Sequence, residues 1–347
     1  MNDPRFEALL SFLVAAIALL GYWSGGFVWQ NSEEEIYKKS SGVYRSEFGF
    51  PLRIARSIES PALGAKVTEL VASRLLEASG VAVFDDHLAI VSDKDNALYV
   101  VNAEAPASPL TMVEVPEFPD EPAKFEDISF HRDSGYFYVI GAHYPKVPAF
   151  QKAFRFKLRR EGDGWRTIQV ESLSISKDIL NILDHLSDSN HVEGIAVTGS
   201  AEAPTLFIGI RSGKQGRFLI LEFSSERSGF VLQSSPKLSL SPTHASGDVA
   251  YHLSGLMVVS DSELLVLAAS EDEFNSFHGN RVYIVDLHEW IQKSVTSEFA
   301  LAQKAEEGIA VWTAGKSKGR IAIVFDNDRL NTGQPSRLLI ANTLDAL

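Results

Sequence analysis

The chain reads as an all-β protein: a β-propeller of five blades, with a sixth left open, preceded by one N-terminal transmembrane helix. Three observations in its 347 residues carry this reading. Helical periodicity is scarce once the first apolar segment is passed. Short apolar or alternating runs broken by Gly, Asp, Asn, Ser and Pro fill the rest, which is the pattern of many short strands. Those runs also align with one another in five registers, and a repeat of this kind decides the architecture before any single element does.

The N-terminal segment comes first. No charged residue occurs from Ala8 to Ser32, and "ALLSFLVAAIALLGYWSGGFVW" supplies 22 mainly apolar positions, about enough to span a hydrocarbon layer of ~30 Å. A cleavable signal has a shorter apolar region, a basic start and a small-x-small cleavage site. Here the start "MNDPRFE" is mixed in charge, and "GYWSGG" is a poor cleavage site. Tyr22, Trp23 and Trp29 suit an interfacial belt. An uncleaved single-pass anchor over residues 1–29 is therefore expected in place of a cleaved signal or a buried core helix. Arg5 flanks one side and Lys38, Lys39 and Arg45 the other, so charge counting does not fix the orientation. On general frequency, the globular part is expected in the periplasm or outside the cell. Residues 30–45, "QNSEEEIYKKSSGVYR", form a polar linker, and 46–347 the propeller.

Five segments define the blades: "ASGVAVFDDHLAIVSDKDNALYVVNAE" from Ala78, "FEDISFHRDSGYFYVIGAHYP" from Phe125, "VEGIAVTGSAEAPTLFIGIRS" from Val192, "LSGLMVVSDSELLVLAAS" from Leu253 and "EEGIAVWTAGKSKGRIAIVFDND" from Glu306. Each opens with a polar residue, then Gly or Asp, then a short apolar strand, a hairpin and a second strand. Third strands follow at "ALYVVNA", "AFRFKLR", "RFLILEF", "RVYIVDL" and "SRLLIAN". The lead residues Ser79, Glu126, Glu193, Ser254 and Glu307 are 47, 67, 61 and 53 positions apart, near the ~40–50 residues of known propeller blades. A β-sandwich would need five matched registers to be coincidental. Closing the ring takes a strand from the N-terminal side, and "AKVTELVASR" is the candidate; Ser46 to Ile58 is the segment available to a sixth blade.

Two segments have helical spacing. Ile179, Ile182, Leu183 and Leu186 share a face within Ser176 to Asp188, and "VDLHEWIQKSV" predicts a short second helix. "AVWTAGKSKGR" is not a phosphate loop: Ala310 stands where the first glycine belongs, and a basic hairpin is expected. "DKDN" and "DNDRLNTG" lack the spacing and terminal glutamate of a calcium loop and read as turns. Gly315, Ser317 and Gly319 match G-x-S-x-G only inside that expected hairpin, not at a strand-to-helix elbow, and no H-E-x-x-H occurs. The absence of cysteine excludes disulfides, thiolate metal sites and thiol nucleophiles. A net charge of −13 argues against nucleic acid as a partner.

The "EGIA" starts at Glu193 and Glu307, the "FIGIRS" strand and the "IVFDND" end resemble bacterial propellers of the esterase-like phytase and SdiA-regulated type. More distantly the chain is similar to gluconolactonase and strictosidine-synthase propellers. The resemblance covers about residues 75–343. In the gluconolactonase relatives, mouth carboxylates hold a divalent cation; here Ser79 and Ser254 occupy two of the five lead positions, which departs from that pattern.

Inner strands line a propeller's axis, so the lead residues form a ring. Glu126, Glu193 and Glu307 would repel one another there unless a cation, shared protons or positive neighbours intervene. The second strands end at Asp93, His143, Arg211, Ser270 and Asp326, expected on the same face. An oxygen-rich cluster with one imidazole suits Ca²⁺, Mg²⁺ or Mn²⁺. On one reading Glu126, Glu193 and Glu307 hold the cation, Arg211 orients a small anionic substrate, and His143 or Asp326 acts as base in hydrolysis of a phosphoester, ester or lactone. On the other, the propeller binds a ligand or a protein without catalysis.

Overall fold

The computed structural model describes residues 44–45, 51–52, 66–69, 77–94, 96–106, 110–118, 123–186, 191–211, 218–227, 229–233, 238–240, 250–271, 277–295, 306–325 and 336–342. The apolar segment read as a membrane anchor, most of the linker and Asp326 lie outside them. Among the described residues no helix is long and apolar enough to cross a membrane.

Five antiparallel sheets form the blades of a propeller, each a meander running outward from the axis. Blade 1 comprises Ala78–Phe84, His87–Ser92, Ala97–Asn102 and Thr111–Glu114; blade 2 comprises Phe125–His131, Tyr136–Gly141, Ala153–Glu161 and Gly164–Ser172. Blade 3 runs His191–Gly199, Pro204–Arg211, Phe218–Glu226 and Gly229–Leu232, with Leu238–Leu240 added to its third strand. Blade 4 runs Ala250–Ser260, Glu263–Glu271, Phe277–Asp286 and Gln292–Val295. Blade 5 takes Glu306–Val311, Arg320–Phe325 and Arg337–Asn342 from the C-terminal end and its outermost strand, Lys66–Glu69, from the N-terminal side. The expected closure is therefore the observed one, and it ties the two ends of the domain together. Of the segment available to a sixth blade, Pro51–Leu52 pairs with Tyr44–Arg45 in a separate two-stranded sheet. The ring closes with five.

Strand alternation explains where the core lies. Each blade is apolar on both faces, so adjacent blades bury a seam between them. Five clusters result, one per seam: Leu88, Tyr99 and Val324 between blades 1 and 5, for example, and Phe125, Phe137 and Phe156 between blades 1 and 2. The helix Ser176–His185 bridges blades 2 and 3 and buries Ile179 and Leu183 in their seam, as its spacing predicts. The second expected helix is instead a hairpin turn. Asp286 Oδ1 accepts the amide hydrogens of His288 and Glu289 at 2.7 and 2.9 Å, and this local bonding favours a turn over helix propagation. "AVWTAGKSKGR" forms the inner hairpin of blade 5, as expected.

All five inner strands carry a register shift at one equivalent place: between Ala78 and Gly80, Phe125 and Asp127, Val192 and Gly194, Leu253 and Gly255, and Glu306 and Gly308. The residues that the register skips are Ser79, Glu126, Glu193, Ser254 and Glu307. Each lead residue thus sits on a β-bulge, a device that bends a strand and re-aims one side chain. The following position is glycine in four blades because the strands converge there. A Cβ on Gly308 would lie 2.9 Å from the Gly80 Cα, and one on Gly80 would lie 2.5 Å from the Asp127 Cα.

Candidate functional site

The inner strands begin on one face of the disc, and the bulges place their lead side chains just beneath it. Blades 2 and 3 supply two buried carboxyls, Glu126 and Glu193, each 4% exposed. Ser79 plays a different part, because its hydroxyl donates to the Phe125 carbonyl at 2.5 Å and stitches blade 1 to blade 2. Ser254 is buried, and Glu307 is half-buried in blade 5.

Positive groups meet both glutamates. Lys124 Nζ lies 2.6 Å from Glu126 Oε1 and 3.5 Å from Asp93 Oδ2 of blade 1. His191 Nε2 lies 2.5 Å from Glu193 Oε1, and Arg211 Nη1 lies 3.3 Å from the same oxygen. Tyr144 stands between the two groups, its ring 4.8 Å from the His191 ring and under the Lys124 ammonium at 5.8 Å. Asp93, Lys124, His191 and Arg211 remain partly exposed and form a rim over the carboxyls. The Lys124 backbone is left-handed, φ 46°, an uncommon conformation for a non-glycine residue that persists only where its surroundings enforce it.

The two carboxyls are pushed in opposite directions. Burial, then the neighbouring charge of Glu193, raises Glu126 to about 8 against the pull of Lys124. Burial would also raise Glu193, but His191, Arg211 and Lys124 outweigh it and lower it to about 2. Burial pulls against the Lys124 ammonium, yet Glu126, Glu193 and Asp93 hold it protonated above the usual lysine range. The two carboxyls are thus driven apart, Glu126 toward its protonated form and Glu193 toward its ionised form.

A carboxylate can only accept, so His191 donates from Nε2 to Glu193. Its Nδ1 is buried and has no hydrogen-bond partner among the described residues.

The residues expected from the sequence separate into two groups. Glu126, Glu193, Arg211 and Asp93 come together. His143 does not join them: it is fully buried, with Nδ1 2.7 Å from the Gly141 carbonyl and Nε2 2.9 Å from Ser176 Oγ. Burial lowers it to about 4, so a neutral ring donates to Gly141 and accepts from Ser176. In this position it links the second strand of blade 2 to the helix that follows that blade. The reason it stands apart is register. Arg211 pairs with His191, two residues before its lead, whereas Ser270 pairs with Tyr251, three before. Counting on from the Phe125–Gly141 pair puts His143 opposite Ala123, also three before its lead. One residue of offset reverses which face a side chain takes.

Whether the acidic ring can hold a divalent cation depends on its donors. Glu126 and Glu193 are each closed by cationic side chains, and blade 5, which carries Glu307, does not adjoin blades 2 and 3 in the ring. Among the described residues no group of three His, Asp or Glu side chains is gathered closely enough for a metal ion. Lys124 and Arg211 supply positive charge to the converging carboxylates.

Sequence reasoning missed Lys124, Tyr144 and His191. The signal was present in "KFED" and "HVEG", where a cation stands two residues before the lead carboxylate. Asp127 was read as an ordinary second position, yet it is the one side chain in a ring of glycines.

No protein-family model matches the chain, and no curated protein matches it. Solved structures superpose on the chain at low identity. The catalytic domain of the GH62 α-L-arabinofuranosidase from Coprinopsis cinerea superposes with a TM-score of 0.46 at 10% identity, covering 81% of this chain and 97% of that one. An exo-β-1,3-galactanase from Clostridium thermocellum gives 0.48 at 9%, covering 79% and 62%. A protein described as an oxidoreductase (glucose dehydrogenase) from Thermus thermophilus gives 0.43 at 11%, covering 80% and 100%.

Proposed function

We propose that the chain is a hydrolase working by acid–base catalysis at the junction of blades 2 and 3. The observation that supports this most is the split between Glu126 and Glu193. Neighbouring carboxyls driven apart in protonation state provide an acid and an ionised partner at the same pH. In this reading ionised Glu193, held by the hydrogen bond from His191 Nε2, takes a proton from water as its oxygen attacks the carbonyl or phosphoryl centre. The bond to the leaving oxygen breaks, and that oxygen takes the Glu126 proton. Lys124 and Arg211 orient an anionic or strongly polar substrate beside Tyr144. Esters, lactones and phosphoesters all fit this chemistry, and no step requires a metal. We further place the propeller outside the cytoplasm, tethered by the apolar segment Ala8 to Trp29, on the length and composition of that segment.

The test is turnover of aryl esters, lactones and aryl phosphates by the full chain in mild detergent, followed in Glu126→Gln and Glu193→Gln. Each variant should lose about 10²-fold or more in kcat, the usual contribution of a general acid or base. Activity indifferent to both substitutions refutes the assignment. Saturable binding of such compounds with no turnover in the native protein would establish the non-catalytic propeller instead.

A further inference from the structure

Asp127 occupies the position that glycine fills in every other blade. It is 1% exposed, and its side chain reaches across the axis of the disc. Oδ1 accepts the amide hydrogen of Ile128 at 2.8 Å. Oδ2 accepts from Ile195 of blade 3 at 3.0 Å and from Leu256 of blade 4 at 3.3 Å. Blade 1 closes on it from the other side: a Cβ on Gly80 would meet Oδ1 at 2.9 Å. One carboxylate thus touches four of the five blades.

Its place in the chain gives these bonds a consequence for the site. Asp127 directly follows Glu126, and Ile195 lies two residues after Glu193. The Asp127–Ile195 bond therefore ties the strand segment carrying one bulge to the segment carrying the other. We infer that Asp127 is a positioning residue, holding the Glu193 bulge at a fixed separation from the Glu126 bulge through the amide hydrogens of blades 3 and 4. Glycine would leave those amides without an acceptor on this axis, and the inner strands of blades 2, 3 and 4 would lose their common reference. Two observations independent of the reaction agree with a dedicated role. The side chain breaks a fourfold glycine pattern, and its burial outweighs three amide hydrogen bonds and raises its carboxyl well above the usual aspartate range, so the position carries a cost that glycine would not.

The inference rests on the acid–base reading only in naming what is positioned, and its test does not need turnover. The titration of Glu126 is followed in the full chain labelled with ¹³C-glutamate, in the native protein and in Asp127→Asn and Asp127→Gly. Asn keeps the volume and one acceptor oxygen; Gly restores the residue of the other blades. Expected is a Glu126 midpoint near 8 in the native protein. It should shift by less than about half a pH unit in D127N and fall by about one unit or more in D127G, because the repulsion from Glu193 relaxes with distance. Equal shifts in both variants would assign the effect to the Asp127 charge and overturn positioning. A lowered melting temperature with an unmoved midpoint would reduce Asp127 to a structural staple and overturn it as well. Should D127G not fold, Asp127→Ser, with one acceptor on a shorter arm, takes its place with the same expected direction. A native midpoint near 4.5 defeats the acid role of Glu126 instead, so the two failures are distinguishable.

Discussion

Replacing Glu126 with glutamine should change how stability depends on pH more than it changes stability itself. The carboxyl ordinarily ionises near 4.5 and here near 8. Between those values the folded state holds a proton that the unfolded chain has released, so stability falls as pH rises through the window. At about 1.36 kcal/mol per pH unit, 3.5 units amount to about 5 kcal/mol as an upper bound. His143 acts oppositely between pH 4 and 6.5, where the unfolded ring binds the proton that the buried ring refuses. Glu193 acts below 4.5, its contribution being lost as pH falls toward 2. His143 is unaltered in E126Q, and Glu193, which interacts with Glu126, titrates below the window, so the difference between native and variant above pH 4.5 reports Glu126. Urea denaturation at pH 4.5, 6, 7 and 8.5 measures it. The native protein should lose several kcal/mol relative to E126Q across that range, most of it by pH 8. A difference that stays flat within about 1 kcal/mol would refute a protonated, buried Glu126.

Other expectations follow from separate parts of the fold. His143→Ala should lower stability by about 2–4 kcal/mol through the lost hydrogen bonds to Gly141 and Ser176 and the cavity left, while kcat stays within twofold of native. Gly308→Ala forces a Cβ to 2.9 Å from the Gly80 backbone and should cost about 1–3 kcal/mol, read as a lower urea midpoint with unchanged slope. If the segment Ala8 to Trp29 spans a membrane, the full chain will sediment with membranes after a high-salt wash and leave them only with detergent. A soluble mature chain beginning near Gln30 would contradict this.

Much of the architecture could be read from the chain because propellers repeat. "VEGIAV" and "EEGIAV" announce one position twice, and the Gly or Asp after each lead marks a backbone approach that only small or bridging residues tolerate. The closing strand was legible too, since blade 5 had three strands and needed a fourth. The site was less legible, for two physical reasons. Lys124 and His191 stand before their strands' bulges, and a bulge changes where neighbouring side chains point in a way strict alternation does not reveal. His143 and Ser270 looked equivalent to Arg211 by their distance from the hairpin. Pairing register, not that distance, decides which face they take, and register depends on contacts made across strands. The turn at Asp286 was hidden for a related reason: "VDLHEW" has helical composition, but the aspartate bonds its own following amides.

The side chain of Asp127 bonds amides of blades 3 and 4 across the axis, tying the inner strands to one another beneath the rim. On the proposed reading, whatever reaches Glu126 and Glu193 would enter and depart by the rim, and product would clear before the next molecule arrives. Such a site favours small substrates or free chain ends over a threaded polymer.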